Sequence, residues 1–131
     1  MIEAKNKKIL IVDDSMLERE LIIEILKAQG VTNDFLQAAN ADEAIEALGH
    51  YYREIGVILL DWQMPGISGI DFMRGALALK QVSEIPIIMV TAAAEEKNEQ
   101  EARMANPHLA GYITKPYEPE VLFEAVNPYL E

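Results

Sequence analysis

An unbroken apolar run at residues 56–60 ends in the carboxylate of Asp61, and a proline–glycine turn follows within five residues. Continuous hydrophobicity of this kind is typical of a parallel β-strand that is covered on both faces. A charged residue at the end of such a strand lies at the carboxyl edge of the sheet, where open α/β folds bind their ligands. The run therefore favours an α/β fold with a ligand site near Asp61.

Other apolar runs end in polar side chains in the same way: Asp13 and Asp14 follow residues 9–12, Thr91 follows residues 87–90, and Lys115 follows a short run around Tyr112 and Ile113. If these strands are parallel, three acids, a hydroxyl and an ammonium group meet at one edge of the sheet. This convergence predicts a site for a metal ion and a phosphoryl group.

Strand and helix patterns alternate five times along the chain. The predicted strands are 8–12, 34–38, 56–60, 87–90 and 111–114, and the predicted helices are 16–29, 41–51, 69–80, 94–104 and 119–126. Such units imply a parallel sheet with right-handed crossovers and helices on both faces. We expect a doubly wound, flavodoxin-like α/β fold of five strands and five helices in the order 2-1-3-4-5. That order is taken from known doubly wound proteins, because the alternation alone does not fix it.

Length and composition limit what the chain can do. The 131 residues are half hydrophobic, so we expect a single domain over residues 1–131 with a packed core. The chain has no cysteine, which excludes disulfides and thiolate metal sites and suits the cytoplasm, where we expect it to act. No segment approaches the roughly 18 apolar residues of a membrane span. A net charge of −11 argues against nucleic-acid binding, which depends on Lys and Arg.

Three acids, Asp13, Asp14 and Asp61, form the predicted metal site. Hard cations such as Mg²⁺ prefer oxygen ligands and usually take one or two carboxylates from the protein. The alternative is helix capping, since Ser15 and Glu18 have capping-box spacing and acids favour a helix N-terminus. One acid would meet that need. Two acids beside a third repel one another unless a cation binds, so the metal interpretation is favoured.

Asp61 is the candidate phosphoryl acceptor, because a carboxylate can form an acyl phosphate. The Thr91 hydroxyl could donate to a phosphoryl oxygen, and the Lys115 ammonium could bind the same group as a point charge. Each has an ordinary alternative: a turn residue for Asp61, a strand-end residue for Thr91 and a solvated loop residue for Lys115. Tyr112, on a predicted edge strand, is by itself a half-buried packing residue.

Four short motifs occur in order at the predicted strand ends: Val12-Asp13-Asp14-Ser15, Asp61-Trp62-Gln63-Met64-Pro65 with Gly69 beyond it, Val90-Thr91-Ala92, and Tyr112-Ile113-Thr114-Lys115-Pro116. Together they resemble the receiver domain of bacterial two-component response regulators. The resemblance covers residues 8–126. A single pair of these residues means little, but all four motifs in this order are highly specific.

The resemblance implies a role for each motif residue. Asp61 would take a phosphoryl group from a histidine kinase or a histidine phosphotransfer protein. The ligands of Mg²⁺, or of another divalent cation such as Mn²⁺, would be Asp13, Asp14, Asp61 and the backbone carbonyl of Gln63. The phosphoryl oxygens would be held by Thr91, Lys115 and the backbone of Ala92.

The resemblance also implies a switch. Phosphorylation would draw Thr91 inward, and the aromatic ring of Tyr112 would follow it. This local charge event would reshape the face made by the fourth helix, the fifth strand and the fifth helix. The Lys115–Pro116 peptide bond is expected to be cis, and Gln63 and Ala93 occupy the positions that tune the lifetime of the acyl phosphate.

The expected function is a signalling phosphoacceptor with at most slow autodephosphorylation rather than an enzyme. We expect a stand-alone, chemotaxis-type regulator, a monomer or a weak phosphorylation-dependent dimer, that contacts a downstream protein and neither nucleic acid nor membrane. It could equally be a fragment of a larger regulator or a phosphorelay intermediate.

A phosphatase with an aspartyl nucleophile is a further alternative, but those enzymes typically carry a second acid two residues after the nucleophile, and neither Asp13 nor Asp61 is followed by one at that position. A flavin module is disfavoured, because a flavin phosphate needs backbone and hydroxyl donors in the first loop, and the two carboxylates there repel phosphate when no metal is bound.

Overall fold

Five parallel strands form one sheet in the order 2-1-3-4-5. The computed structural model describes residues 7–131. The strands are β1 (Lys8–Val12), β2 (Phe35–Ala38), β3 (Ile55–Leu60), β4 (Ile87–Thr91) and β5 (Gly111–Thr114). The predicted fold class and strand order are therefore confirmed, with β2 and β5 at the two edges.

Five helices connect or follow the strands: α1 (Met16–Ala28), α2 (Ala41–Tyr51), α3 (Gly69–Leu77), α4 (Glu96–Ala105) and α5 (Pro119–Val126). Helix α3 ends three residues before the predicted 80, because the chain continues in tighter turns in which the Leu79 N–H donates to the Ala76 carbonyl. Helix α4 begins two residues after the predicted 94, because Glu95 has an extended backbone and serves as the N-cap. A short 3₁₀ turn, Asn127–Tyr129, follows α5.

Helix α1 begins and ends at residues that the sequence marks. The Ser15 hydroxyl accepts a hydrogen bond from the Glu18 N–H at 3.2 Å and so caps the first turn. After the helix, Gly30 has a φ of 97°, which glycine adopts without steric cost. The Val31 N–H then bonds back to the Leu26 carbonyl, which is the Schellman arrangement of a helix end.

Helices cover both faces of the sheet, and successive strand residues point to opposite faces. In β1, Ile9 and Ile11 are buried in a cluster with α1 and α5, whereas Leu10 and Val12 are buried in a second cluster with α2, α3 and Ala102 of α4. Burial on both faces explains why the sequences of β1, β3 and β4 are largely apolar. Within residues 7–131, none of the helices has the length and apolarity that crossing a membrane requires.

The strand register brings the carboxyl ends of distant segments together. Val12 of β1 pairs with Leu60 of β3, and the next backbone N–H, that of Asp61, donates to the Val12 carbonyl at 2.9 Å. Between β4 and the edge strand β5, the Lys115 N–H donates to the Thr91 carbonyl at 2.8 Å. The loops that follow β1, β3, β4 and β5 therefore meet at one edge.

Candidate metal centre

Three carboxylates meet at the carboxyl edge of the sheet. Asp13, Asp14 and Asp61 each offer an oxygen atom, and these oxygens lie within 4.8 Å of one another. Asp13 and Asp61 are buried, whereas Asp14 is exposed. An all-oxygen donor set that is open to solvent on one side fits a hard divalent cation, which keeps several water ligands.

The ammonium group of Lys115 lies among these acids. Its Nζ atom is 2.8 Å from Asp13 Oδ2, 3.6 Å from Glu18 Oε2 and 3.7 Å from Asp61 Oδ2, and its side chain is only 16% exposed. Burial by itself lowers the pKa of Lys115, but the Asp13 hydrogen bond and the charges of Asp61 and Glu18 outweigh it, so the pKa lies above its ordinary value. Lys115 is therefore a fixed positive charge beside Asp61.

The carboxyl group of Asp61 is held in a defined orientation. Its Oδ1 atom accepts a hydrogen bond from the Trp62 N–H at 2.7 Å, while Oδ2 faces Lys115. Burial raises the pKa of Asp61, and the charge of Asp13 raises it further; the Thr91 hydroxyl, Lys115 and the Trp62 N–H only partly offset these effects. Burial thus disfavours the ionised carboxylate, and a nearby positive charge would favour it.

The N-terminus of helix α1 is capped by a residue other than the two acids. Ser15 caps α1, so neither acid is needed for that purpose. The Ser15 N–H donates to Asp13 Oδ1 at 2.9 Å, which fixes the Asp13 carboxylate beneath Lys115. The reciprocal half of the predicted capping box is not formed, because the Glu18 side chain lies beside Lys115 instead. Asp14 remains exposed at the rim.

Thr91 and Tyr112 are linked through the backbone of Ala93. The Ala93 N–H donates to the Thr91 hydroxyl oxygen at 3.2 Å, and the Tyr112 hydroxyl donates to the Ala93 carbonyl. Burial, together with the charges of Glu99 and Asp61, raises the pKa of Tyr112 to about 12, so its hydroxyl stays protonated as a donor. Ala93, in the loop after β4, therefore links the buried end of β4 to the edge strand β5 by two hydrogen bonds.

The remaining motif residues lie in the same loops. Gln63 and Ala92 are exposed, in the loops directly after β3 and β4, and the Lys115–Pro116 peptide bond is cis. Trp62 is partly buried and packs against the core cluster between the sheet, α2 and α3.

Gly69 has a steric role that its place in the motif does not explain. Its N–H donates to the Trp62 carbonyl at 2.7 Å, so the start of α3 lies directly against the β3 strand end. A Cβ atom at this position would lie 2.0 Å from the Asp61 carbonyl oxygen. Only glycine allows this approach, which fixes the loop carrying Asp61.

Three residues at the site were missed by the sequence reasoning or given another role. Arg19 donates from its guanidinium to the Asp13 carbonyl and, at 3.0 Å, to Gln37 Oε1, so it anchors the first loop. Glu18, predicted as a capping residue, contacts Lys115. The Tyr117 hydroxyl is buried nearby. Burial raises its pKa, with a further contribution from Glu18. Arg19 lies four residues after Ser15, so helical spacing could have placed it next to the first loop. Nothing in the local sequence predicts that Tyr117 lies at the site.

Comparison with known proteins agrees with this geometry. The sequence pattern of the family described as the response regulator receiver domain matches residues 9–127. The chain belongs to this family. It is 36% identical over 125 residues to the chemotaxis protein CheY of Pseudomonas aeruginosa, covering 95% of this chain and 96% of that protein. It is 34% identical over 121 residues to the phosphate regulon transcriptional regulatory protein PhoB of Escherichia coli, covering 92% of this chain and 50% of that protein.

Solved structures show the same fold. The chemotaxis protein CheY4 of Vibrio cholerae superposes with a TM-score of 0.82 at 27% identity, covering 96% of this chain and all of that one. A response regulator receiver protein of Pseudomonas putida gives a TM-score of 0.83 at 29% identity, covering 96% and 99%. Receiver domains are signalling proteins rather than classical enzymes, and an acidic site such as Asp13, Asp14 and Asp61 is typical of their phosphorylation.

Proposed function

We propose that Asp61 accepts a phosphoryl group from a histidine kinase or a histidine phosphotransfer protein, and that the modified domain signals by contacting a downstream protein. The observation that carries this proposal is the meeting of Asp61, two further acids and Lys115 at one edge of the sheet. In this family, receiver domains act with histidine kinases and downstream targets, and the chain matches the family over nearly its whole length.

Asp13, Asp14 and Asp61, with the backbone carbonyl of Gln63, would hold Mg²⁺ or a similar cation such as Mn²⁺. The donor set supports this, because the three carboxylates offer oxygen atoms within 4.8 Å of one another. When bound, the cation neutralises charge on the transferring phosphoryl group. The cation would also favour the ionised form of Asp61, whose pKa is raised first by burial and then by the charge of Asp13.

The transfer step needs little from the protein besides position and charge. A carboxylate oxygen of Asp61 attacks the phosphorus of the phosphohistidine, the phosphorus–nitrogen bond breaks, and an acyl phosphate forms. Lys115, with its Nζ 3.7 Å from Asp61 Oδ2, would bind one phosphoryl oxygen. The Thr91 hydroxyl and the Ala92 N–H would bind the others.

The switch would run from Thr91 to Tyr112. If Thr91 turns toward the phosphoryl group, its hydroxyl gives up the hydrogen bond from the Ala93 N–H. The Ala93 carbonyl, which now accepts from Tyr112, would shift with its loop, and the ring of Tyr112 would follow. This would reshape the face of α4, β5 and α5. Gln63 and Ala93 would set how readily water reaches the acyl phosphate.

The wider role is proposed with the support of the relatives. Residues 1–131 would form one receiver domain that acts in the cytoplasm, as expected of a chemotaxis-type regulator. It would work as a monomer or a weak phosphorylation-dependent dimer and bind neither nucleic acid nor membrane directly. The PhoB match, of which this chain spans half, supports the alternative that the domain belongs to a larger regulator. A place within a phosphorelay remains a further alternative.

Acetyl phosphate with Mg²⁺ tests the acceptor directly. Intact mass spectrometry should show one added phosphoryl group on the wild-type protein and none on Asp61→Asn. Chelation of the cation with EDTA should abolish the modification. An unmodified wild-type mass at high acetyl phosphate and Mg²⁺ would overturn the proposal, as would an equal mass gain in Asp61→Asn.

A further inference from the structure

Lys115 is shared among three carboxylates, and one of them is the proposed phosphoryl acceptor. An ammonium group has three N–H donors, and three carboxylates, those of Asp13, Glu18 and Asp61, lie within 3.7 Å of Lys115 Nζ. A phosphoryl group on Asp61 would replace one of these carboxylates with a more highly charged group that has several oxygen atoms, and it would draw Lys115 away from its other partners.

Glu18 is the partner that releases it at least cost. Its carboxylate is 3.6 Å from Lys115 Nζ, whereas that of Asp13 is at 2.8 Å. The Glu18 side chain is 36% exposed and can be solvated again by water, but the Asp13 side chain is 4% exposed. Breaking the Asp13 contact would leave a buried charge unpaired, which is far more costly.

The Tyr117 hydroxyl offers Glu18 a replacement donor. This hydroxyl is buried and has no hydrogen-bond partner among residues 7–131, although buried hydroxyl groups are normally paired. Tyr117 packs against the core cluster that contains Ile22 and Leu26 of α1, the helix that carries Glu18, and burial and then the Glu18 charge raise the pKa of Tyr117. A hydroxyl donating to a carboxylate makes one of the stronger hydrogen bonds in proteins.

We propose that Glu18 restrains Lys115 in the unphosphorylated protein, and that the Tyr117 hydroxyl donates to the Glu18 carboxylate once Lys115 has turned to the phosphoryl group. Glu18 and Tyr117 are thus positioning residues for the phosphoacceptor reaction. The proposal rests on the proposed function of the same site.

Removing the Glu18 charge should ease entry of the phosphodonor. In Glu18→Gln, Lys115 is freer and one negative charge near the incoming phosphate is lost. The acetyl phosphate concentration at half-maximal rate should therefore fall about two- to fivefold, the effect expected when a partly exposed ion pair is removed, with a smaller change in the maximal rate.

Mg²⁺ binding to the unphosphorylated protein, measured by Trp62 fluorescence, should weaken by a similar or smaller factor. Glu24→Gln, an exposed charge on the same helix, is the control and should change neither quantity.

Removing the Tyr117 hydroxyl should affect only the phosphorylated state. Tyr117→Phe should bind Mg²⁺ as the wild-type protein does, while its phosphorylated fraction at steady state falls about two- to fivefold, the size of one lost hydrogen bond. In the background of Glu18→Met, which has no acceptor, Tyr117→Phe should have no further effect. Tyr51→Phe, at an exposed tyrosine, is the matched control.

The outcomes separate this inference from the proposed function. If the wild-type protein takes up no phosphoryl group, both are overturned. If it is phosphorylated but Glu18→Gln leaves the half-maximal concentration unchanged, or Tyr117→Phe has the same effect with and without Glu18, the inference alone is overturned. A shift in half-maximal concentration together with non-additive effects of the two residues supports it.

Discussion

Lys115 Nζ and Asp13 Oδ2 lie 2.8 Å apart, although 102 positions separate the two residues in the chain. The contact joins the loop after β1 to the loop after β5, which are not adjacent strands. Because both side chains are largely buried, the pair acts in a medium where charges interact strongly. The pair therefore ties the two loops together.

Lys115→Met should destabilise the cation-free protein by about 1–3 kcal/mol, since it leaves the buried Asp13 carboxylate without its charged donor. The pKa of Lys115 is raised, so its contribution to stability is present below the ordinary value of 10.5 and is lost only as the pH rises through the folded value. Urea unfolding in EDTA at pH 7 measures the loss. Lys97→Met, which removes an exposed pair with Glu95, should cost less than about 1 kcal/mol. Equal losses in the two variants would contradict the prediction.

Asp61→Asn should stabilise the cation-free protein at neutral pH. Because burial raises the pKa of Asp61 above 3.8, ionising it costs folding free energy at every pH above that range, and the cost disappears when both states are protonated. We expect a gain of about 1 kcal/mol at pH 7, or roughly 3–6 °C in melting temperature. The gain should shrink as the pH is lowered toward 4.

Thermal unfolding at pH 7 and pH 4 tests whether the Asp61→Asn substitution raises the melting temperature. Asp42→Asn, at an exposed acid in the first turn of α2, is the control and should give no gain at either pH. A melting temperature for Asp61→Asn that is lower at pH 7 than that of the wild-type protein would mean that Lys115 compensates the Asp61 charge fully.

The fold and the composition of the site could be predicted from the sequence, because both depend on short-range patterns. Apolar runs ending in Asp13, Asp61, Thr91 and Lys115 place these residues at strand ends, and parallel strands bring such ends to one edge. Strand order was correct only because doubly wound proteins share it. The alternation of strands and helices carries no such information.

The contacts of Glu18 and Tyr117 could not be predicted in this way. Capping-box spacing correctly identified Ser15 as the cap, but the destination of the Glu18 side chain depends on Lys115, which arrives from the far end of the chain. The burial of the Tyr117 hydroxyl likewise depends on how the loop after β5 packs against the core cluster to which α1 and α5 contribute. When a side chain has two possible partners, tertiary packing determines which one it contacts. Local sequence patterns carry no information about that packing.

Gly69→Ala should destabilise the protein by about 1–3 kcal/mol, the usual cost of overpacking. Its new Cβ atom would lie 2.0 Å from the Asp61 carbonyl oxygen, a backbone atom that cannot rotate away. Gly75→Ala in the same helix is a sharp control, because nothing lies within 4 Å of its Cβ position. That variant should gain up to about 1 kcal/mol from better helix propensity. Chemical denaturation should therefore give changes of opposite sign.

Tyr112→Phe should cost about 0.5–1.5 kcal/mol, because the Ala93 carbonyl loses the hydroxyl that donates to it while the ring is retained. Tyr51→Phe, at an exposed position, should change the free energy of unfolding by less than about 0.5 kcal/mol. Urea unfolding of the unphosphorylated proteins compares the two. A Tyr112→Phe variant as stable as the wild-type protein would show that the bond to Ala93 contributes nothing to the unphosphorylated state.

Mg²⁺ should raise the melting temperature in proportion to its occupancy of the site. A ligand that binds only the folded state adds about 2.7 kcal/mol at a concentration 100 times its Kd. Asp13→Asn should remove most of this gain, because it takes one of the two buried carboxylates from the donor set. NaCl at matched ionic strength separates binding from screening of the −11 net charge. If NaCl stabilises the wild-type protein as much as Mg²⁺ does, the three acids bind no specific cation and the repulsion between them is merely screened.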